Sequence, residues 1–250
     1  MRLLFTYAVL FLVGCGSHWE EAGELQYARM GASGGVLNNR VILSGGFHPI
    51  EILEERDDQL VALDIKPSPL FEEAGSVVYQ EKLWLFGGIN PGHEYLDDVR
   101  VVDLNGNISD VVKMPFKAKD LAIVVRQDKI ILAGGDDFFT FRKEVWSFDP
   151  LAKTFVRLQD LPDGRKDGVL TPDLTYLGGV GVTIHERSGF GFIDGHEIGG
   201  VFNGEILSEA YPSNLPIPLA EPVVLELDSI YVLSGQSIDG PSKKVFVLIE

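Results

Sequence analysis

Val77-Val78-Tyr79-Gln80-Glu81-Lys82-Leu83-Trp84-Leu85-Phe86-Gly87-Gly88 reads as two short apolar strands joined by a polar turn and closed by a glycine pair. The same arrangement runs from Val36 to Gly46, Val124 to Gly135, Thr183 to Gly195 and Val223 to Gly235. The closing glycine follows the last turn residue by six or seven positions, and it is preceded by Gly45, Gly87, Gly134, Asp194 and Ser234 in chain order. Successive closing glycines are separated by 40 to 60 residues, and recurrence on that scale marks a solenoid or a propeller. Glycine suits the end of such a strand because it accepts positive φ and lets neighbouring backbones approach.

Each hairpin is followed by a polar loop and a further strand, expected at Leu60 to Asp64, Val99 to Asp103, Val145 to Asp149, Glu205 to Ser208 and Val245 to Ile249. A fourth strand is visible at Ile108 to Val112 and Thr154 to Leu158, leading into Met114-Pro115 and Leu161-Pro162. Short strands with Gly, Pro and Asn punctuation and no sustained helical period make four-stranded antiparallel meanders. The glycine pairs, the Val-x-x-x-Asp third strand and the aromatic fourth strand running into a Leu-x-x-x-Arg step resemble the kelch repeat over residues 19–250. That resemblance implies an all-β, five-bladed propeller. Trp19 to Arg29 looks like a displaced fourth strand, so the N-terminal strand is expected to complete the last blade and close the ring.

Residues 1–14 read as a secretory signal, with Arg2 ahead of the apolar stretch Leu3 to Val13. Leu12-Val13-Gly14-Cys15 resembles a bacterial lipobox, which implies acylation of Cys15 and a short tether over residues 15–18. Cys15 is the one cysteine, so no internal disulfide exists. Gly16 in place of an aspartate points to the outer membrane. The net charge of −16, without a run of lysine or arginine, argues against nucleic acid as a partner.

In a meander of this kind the loops between second and third strands share a face with the links to the next blade, and loops on a rigid scaffold carry function. His48 with Glu51, His93 with Glu94, and His196 with Glu197 fall in such loops, and Asp136 and Asp137 take the matching place in the third copy. Imidazoles and carboxylates converging there would suit a divalent metal, although the spacing follows no known ligand pattern and solvated loops account for it as well. No cofactor is otherwise expected. Phe138 and Phe139, with Arg142, have the composition of a recognition loop; packing of both rings between blades is the alternative. Arg29, Lys117 and Arg165 recur at blade junctions, where they would meet either a ligand carboxylate or the protein's own acids. Asp163 to Tyr176 reads as an irregular loop overhanging this face.

The leading expectation is therefore a lipid-anchored envelope propeller that binds a protein or glycan through its loop face. The kelch resemblance implies one alternative, an exported sugar-modifying enzyme of the sialic acid mutarotase type, using Glu94, Glu197, His93 and Arg165; a structural subunit of an envelope complex is a further one. No nucleophile triad or phosphate-binding loop supports catalysis.

Overall fold

The computed structural model describes residues 18–170, 174, 176–181, 192–193, 196–197, 215–217, 219 and 222–249. Residues 1–17, with Cys15, and most of the fourth copy of the repeat lie outside them. Strands and turns make up the described residues, with no helix.

The chain opens with β1 (His18–Arg29) and then lays down a four-stranded antiparallel sheet of β2 (Ala32–Leu37), β3 (Arg40–Gly45), β4 (His48–Arg56) and β5 (Gln59–Lys66) in sequence order. The second sheet has β6 (Gly75–Tyr79), β7 (Lys82–Phe86), β8 (Asp98–Val102) and β9 (Ile108–Lys113). The third repeats this plan with β10 (Ala122–Arg126), β11 (Lys129–Ala133), β12 (Val145–Asp149) and β13 (Thr154–Arg157). Two hairpins follow, β14 (Arg165–Leu170) with β15 (Tyr176–Gly181) and β16 (Phe192–Ile193) with β17 (His196–Glu197). In the last sheet β18 (Val223–Glu226), β19 (Ile230–Leu233) and β21 (Gly240–Ile249) are joined by β1, and β20 (Gln236–Ser237) forms a short hairpin with β21.

The first hairpin of each sheet turns as its sequence dictates. Both central turn residues are left-handed in three of them: Asn38 and Asn39, Gln80 and Glu81, Gln127 and Asp128, all with φ between 48° and 61°. That geometry follows the right-handed twist of the flanking strands. The glycines that close these hairpins are left-handed too, with φ of 94° at Gly88 and 95° at Gly135. A Cβ at Gly88 would stand 2.5 Å from the Glu72 carbonyl oxygen, and one at Gly135 2.8 Å from that of Lys119.

The sheets stand side by side as blades, with β2 against β6, β6 against β10, β10 against β14 and β18 against β2. Apolar cores fill the seams between sheets. Leu37, Ile42 and Ile52 of the first sheet meet Leu83, Leu85 and Val102 of the second. Trp84, Phe86 and Val101 meet Ile130, Leu132 and Phe148 of the third. Between the last sheet and the first, Leu25, Tyr231 and Val247 pack on Val41, Leu43 and Leu53.

β1 pairs antiparallel with β21, His18 opposite Ile249 and Trp19 opposite Leu248, so the first strand of the chain occupies the outer position of the last sheet, as expected. At its far end Arg29, fully buried, reaches into the first sheet. Its Nε and one terminal nitrogen donate to Glu51 Oε1 of β4 at 3.1 and 2.9 Å. The guanidinium also donates to the carbonyls of Gly45 at 2.6 Å and Pro49 at 2.5 Å. Glu51, equally buried, accepts the backbone N–H groups of Gln26 and Tyr27.

Two expectations are corrected here. The stretch between Gly46 and Leu60, expected as the loop that holds His48 and Glu51, is not a loop: it contains β4, the true third strand of the first sheet, and Leu60 to Asp64 belongs to the fourth strand, β5. Three glutamates and Pro49 gave this stretch a loop-like composition, but Glu51 is neutralised by Arg29 and Ile50, Ile52 and Leu53 face the core. Within Asp163 to Tyr176, read as an irregular overhanging loop, residues 165–170 instead form β14, which lies against β10 as the inner strand of the next blade, while 171–173 and 175 lie outside the described residues.

Gly88→Ala and Gly135→Ala are each expected to destabilise by about 2–3 kcal/mol, a loss of roughly 4–12 °C in melting temperature. Arg29→Met is expected to cost about 3–5 kcal/mol by stranding Glu51, with most of the loss recovered in Arg29→Met/Glu51→Leu. Denaturant unfolding of the four proteins checks both expectations.

Candidate functional site

The loop face contains most of the residues singled out from the sequence, in different roles. Arg29 is withdrawn from it: with no exposed surface and every contact internal, it is a latch and not a ligand-binding cation. His48 opens β4, and its ring stacks on Tyr27 with centroids 4.8 Å apart. Burial, with the Arg29 charge behind it, pushes this imidazole below its usual pKa. His93 lies in an exposed turn with φ of 59°. That turn is organised by Asn90, whose Oδ1 accepts the N–H groups of Gly92 and Glu94 and whose Nδ2 donates to the Glu94 carboxylate. Lys117 is exposed, whereas Arg165 is half-buried, with its guanidinium 3.6 Å from Asp163. The His196 and Glu197 side chains lie outside the described residues. Among the described residues, no three His, Cys, Asp or Glu side chains are grouped to hold a metal ion.

The Asp136–Arg142 loop is built to project its aromatics. Asp136 Oδ1 accepts the N–H of Phe138, and Asp137 Oδ1 accepts those of Phe139 and Thr140. Asp137 Oδ2 takes a hydrogen bond from Arg142, which also pairs with Glu144 and lies 4.5 Å from the Phe116 ring centre. These carboxylates and this arginine are occupied in holding the loop. Phe138 and Phe139 are 72% and 89% exposed, which rules out packing between blades. Tyr95, from the equivalent loop of the second sheet, meets Phe138 edge to face at 6.0 Å, and Phe138 meets Phe139 likewise at 5.4 Å. Three aromatics from two blades thus form one rim.

Beside this rim lies a charged network that the sequence reading passed over. Four described links each deliver a left-handed residue just ahead of, or within, the next inner strand: Gly31, Glu73, Asp120 and Asp167, with φ of 59°, 55°, 54° and 56°. The N–H of Glu73 donates to the carbonyl of Gly31 at 2.7 Å, that of Asp120 to Glu73 at 3.0 Å, and that of Asp167 to Asp120 at 3.3 Å. A backbone chain of hydrogen bonds therefore passes from sheet to sheet. The preceding residues add side chains to it. Lys119 bonds the Glu73 carboxylate and lies 3.3 Å from Asp120, while Lys166 lies 3.1 Å from Asp120 and 3.2 Å from Asp167. Burial alone would lower both lysines, but Asp120, aided by Glu73 at Lys119 and by Asp167 at Lys166, overrides it and holds them above their ordinary values.

Glu72 stands apart within this network. It is 7% exposed, yet its carboxylate makes no hydrogen bond among the described residues. Burial, reinforced by the Glu73 charge, raises its pKa to about 7. Burial and the Asp120 charge likewise raise Asp167 to about 6. Network and rim are continuous: the backbones of Glu72 and Ile89 bond each other in both directions, Ile89 bridges to Tyr95, and Lys119 and Asp136 are paired in the same way. The signal that would have revealed this was an acid at the start of successive inner strands: Glu73 and Asp120 two residues before theirs, Asp167 within β14 and, in sequence, Glu221, which lies outside the described residues.

Four-stranded antiparallel blades packed through their inner strands define a β-propeller architecture. A solved structure described as "Structure of YjhT" matches this chain with a TM-score of 0.67 at 16% identity, covering 91% of this chain and 96% of that one. The likeness is one of fold. No protein-family model and no curated protein matches the sequence.

A carboxyl whose folded pKa lies above its unfolded value binds its proton more tightly in the folded state, so stability falls as pH rises from about 4.5 to about 7 at Glu72. Asp167 adds the same sign at lower pH. Glu72→Gln is expected to raise stability by about 1–3 kcal/mol at pH 8 and to change it little at pH 5. Melting curves at the two pH values check this.

Proposed function

We propose that this protein is a closed, five-bladed propeller of the kelch type, acylated at Cys15 and held at the bacterial outer membrane, which binds a glycan of the cell envelope on its loop face. The observation that carries the ligand class is the rim of exposed Phe138 and Phe139 with half-buried Tyr95, beside the Glu72–Lys119–Asp120–Lys166 network. Aromatic rings stack on the apolar faces of sugar rings, and carboxylates accept hydrogen bonds from hydroxyls, so the two halves suit the two kinds of surface that a sugar presents. Support for closure comes from the pairing of β1 with β21 and from the Arg29–Glu51 contact to the first sheet. Support for the anchor comes from the lipobox-like Leu12 to Cys15.

A second reading, an anomer-exchanging enzyme of the sialic acid mutarotase type, is favoured by Glu72 and Asp167, whose pKa values lie close enough to neutrality for proton relay. The fold alone does not select between binding and catalysis.

Screening the soluble domain against envelope oligosaccharides by saturation-transfer NMR tests the proposal. Phe139→Ala and Phe138→Ala are each expected to weaken a bound sugar by about three- to tenfold, the equivalent of about 0.5–1.5 kcal/mol, with melting temperature unchanged. Absence of sugar binding, with a protein captured from the envelope in a Phe139-dependent way, would replace glycan by protein as the ligand. Accelerated anomer exchange by the wild type would establish the enzyme reading.

A further inference from the structure

Resting on the glycan reading of this face, the inference concerns which sugars it selects. The two ammonium groups of the network are already matched: Lys119 by Glu73 and Asp120, Lys166 by Asp120 and Asp167. The Asp136 carboxylate is engaged by the Phe138 N–H. Glu72 alone is left without a donor among the described residues, although its surroundings exclude most water. Side-chain polar atoms that are both sealed from solvent and unpartnered occur at Ser44, Arg100, Arg142, Trp146 and Ser234 among the described residues. The Glu72 oxygens are not of that kind, so they retain a solvent-facing path. The Glu72 Cβ lies 3.3 Å from where a side chain on Gly31 would begin, which sets it against the first member of the backbone chain. Buried carboxylates are stable when a donor, best a charged one, completes them. The charges that weigh on Glu72 are those of the acids Glu73 and Asp120 against that of Lys119, so the missing donor is favoured as a cation.

We propose that Glu72 is a specificity-determining residue that receives the protonated amine of an amino sugar whose ring rests on Phe138 and Phe139. An ammonium brings three donors and a positive charge; a hydroxyl brings one donor and no charge, and an acetamido group brings one donor in a bulkier frame.

The test uses three tetrasaccharides with the same β-1,4 backbone that differ at C2: fully deacetylated chitosan tetramer, chitin tetramer and cellotetraose, titrated calorimetrically into the soluble domain. The chitosan tetramer is expected to bind at least about tenfold more tightly than the other two. Glu72→Gln is expected to erase that preference, Glu72→Asp to reduce it, and Phe139→Ala to weaken all three alike. Equal binding of the three sugars would overturn the amine assignment and leave the glycan reading standing, whereas binding of none would sink both. A preference that survives in Glu72→Gln would belong to the general attraction of a chain with net charge −16 for a cation, and would also overturn it.

Discussion

A single buried ion pair, Arg29 with Glu51, joins the two ends of the sheet series. Arg29 is the last residue of a strand that belongs to the final sheet, and Glu51 lies in the third strand of the first sheet. Burying two charges costs several kcal/mol for each ion unless every donor and acceptor is met. Here the guanidinium reaches a carboxylate and two carbonyls, and the carboxylate also collects two backbone N–H groups. So complete a set of partners can be assembled in one register only. The pair therefore acts less as a source of stability than as a gauge of how far β1 has slid along β21. The seam formed by Leu25, Leu43, Leu53, Tyr231 and Val247 depends on that register being correct.

From this junction outward the protein uses one device repeatedly. A link leaves the outer strand, makes a left-handed step just ahead of or within its own inner strand, and hydrogen-bonds there to the link of the preceding sheet. Non-glycine residues bear some strain in that conformation, and at three of four steps the residue is Glu or Asp. The carboxylates thus gather where the inner strands begin, and the lysines one position earlier neutralise part of their charge. Scaffold and chemistry share the same residues: the backbone of Asp120 holds two sheets together while its side chain keeps two lysines protonated.

Much of this architecture was legible in the sequence. Hairpins such as Val77 to Gly88 announce themselves through turn chemistry and closing glycines, and the Trp19 to Arg29 strand was recognisable because its pattern belongs at the opposite end of the repeat. What escaped depends on pairing across distance. β4 has the local composition of a loop because nothing nearby in sequence reveals that Glu51 is neutralised by a residue 22 positions away. β14 is hidden by Gly168 and by the charges at Lys166 and Asp167, which pair with each other and, through Lys166, with Asp120. Phe138 and Phe139 were undecidable because hydrophobicity does not say which way a ring points; the Asp136 and Asp137 turns decide it. The Glu72 network went unnoticed because its members are single residues from successive links, ordinary on their own.

The pairing of β1 with β21 also has a meaning in time. His18 is synthesised more than two hundred residues before its partner Ile249, so the outer strand of the last sheet must wait unpaired while the intervening sheets form. Closing so long a loop is slow, and an unpaired strand is an invitation to wrong partners. A nascent chain in this state exposes both β1 and the unfinished seam. Completing the last sheet is then a docking of β1 onto the much later β21, and the interval before it is when a chaperone has most to protect.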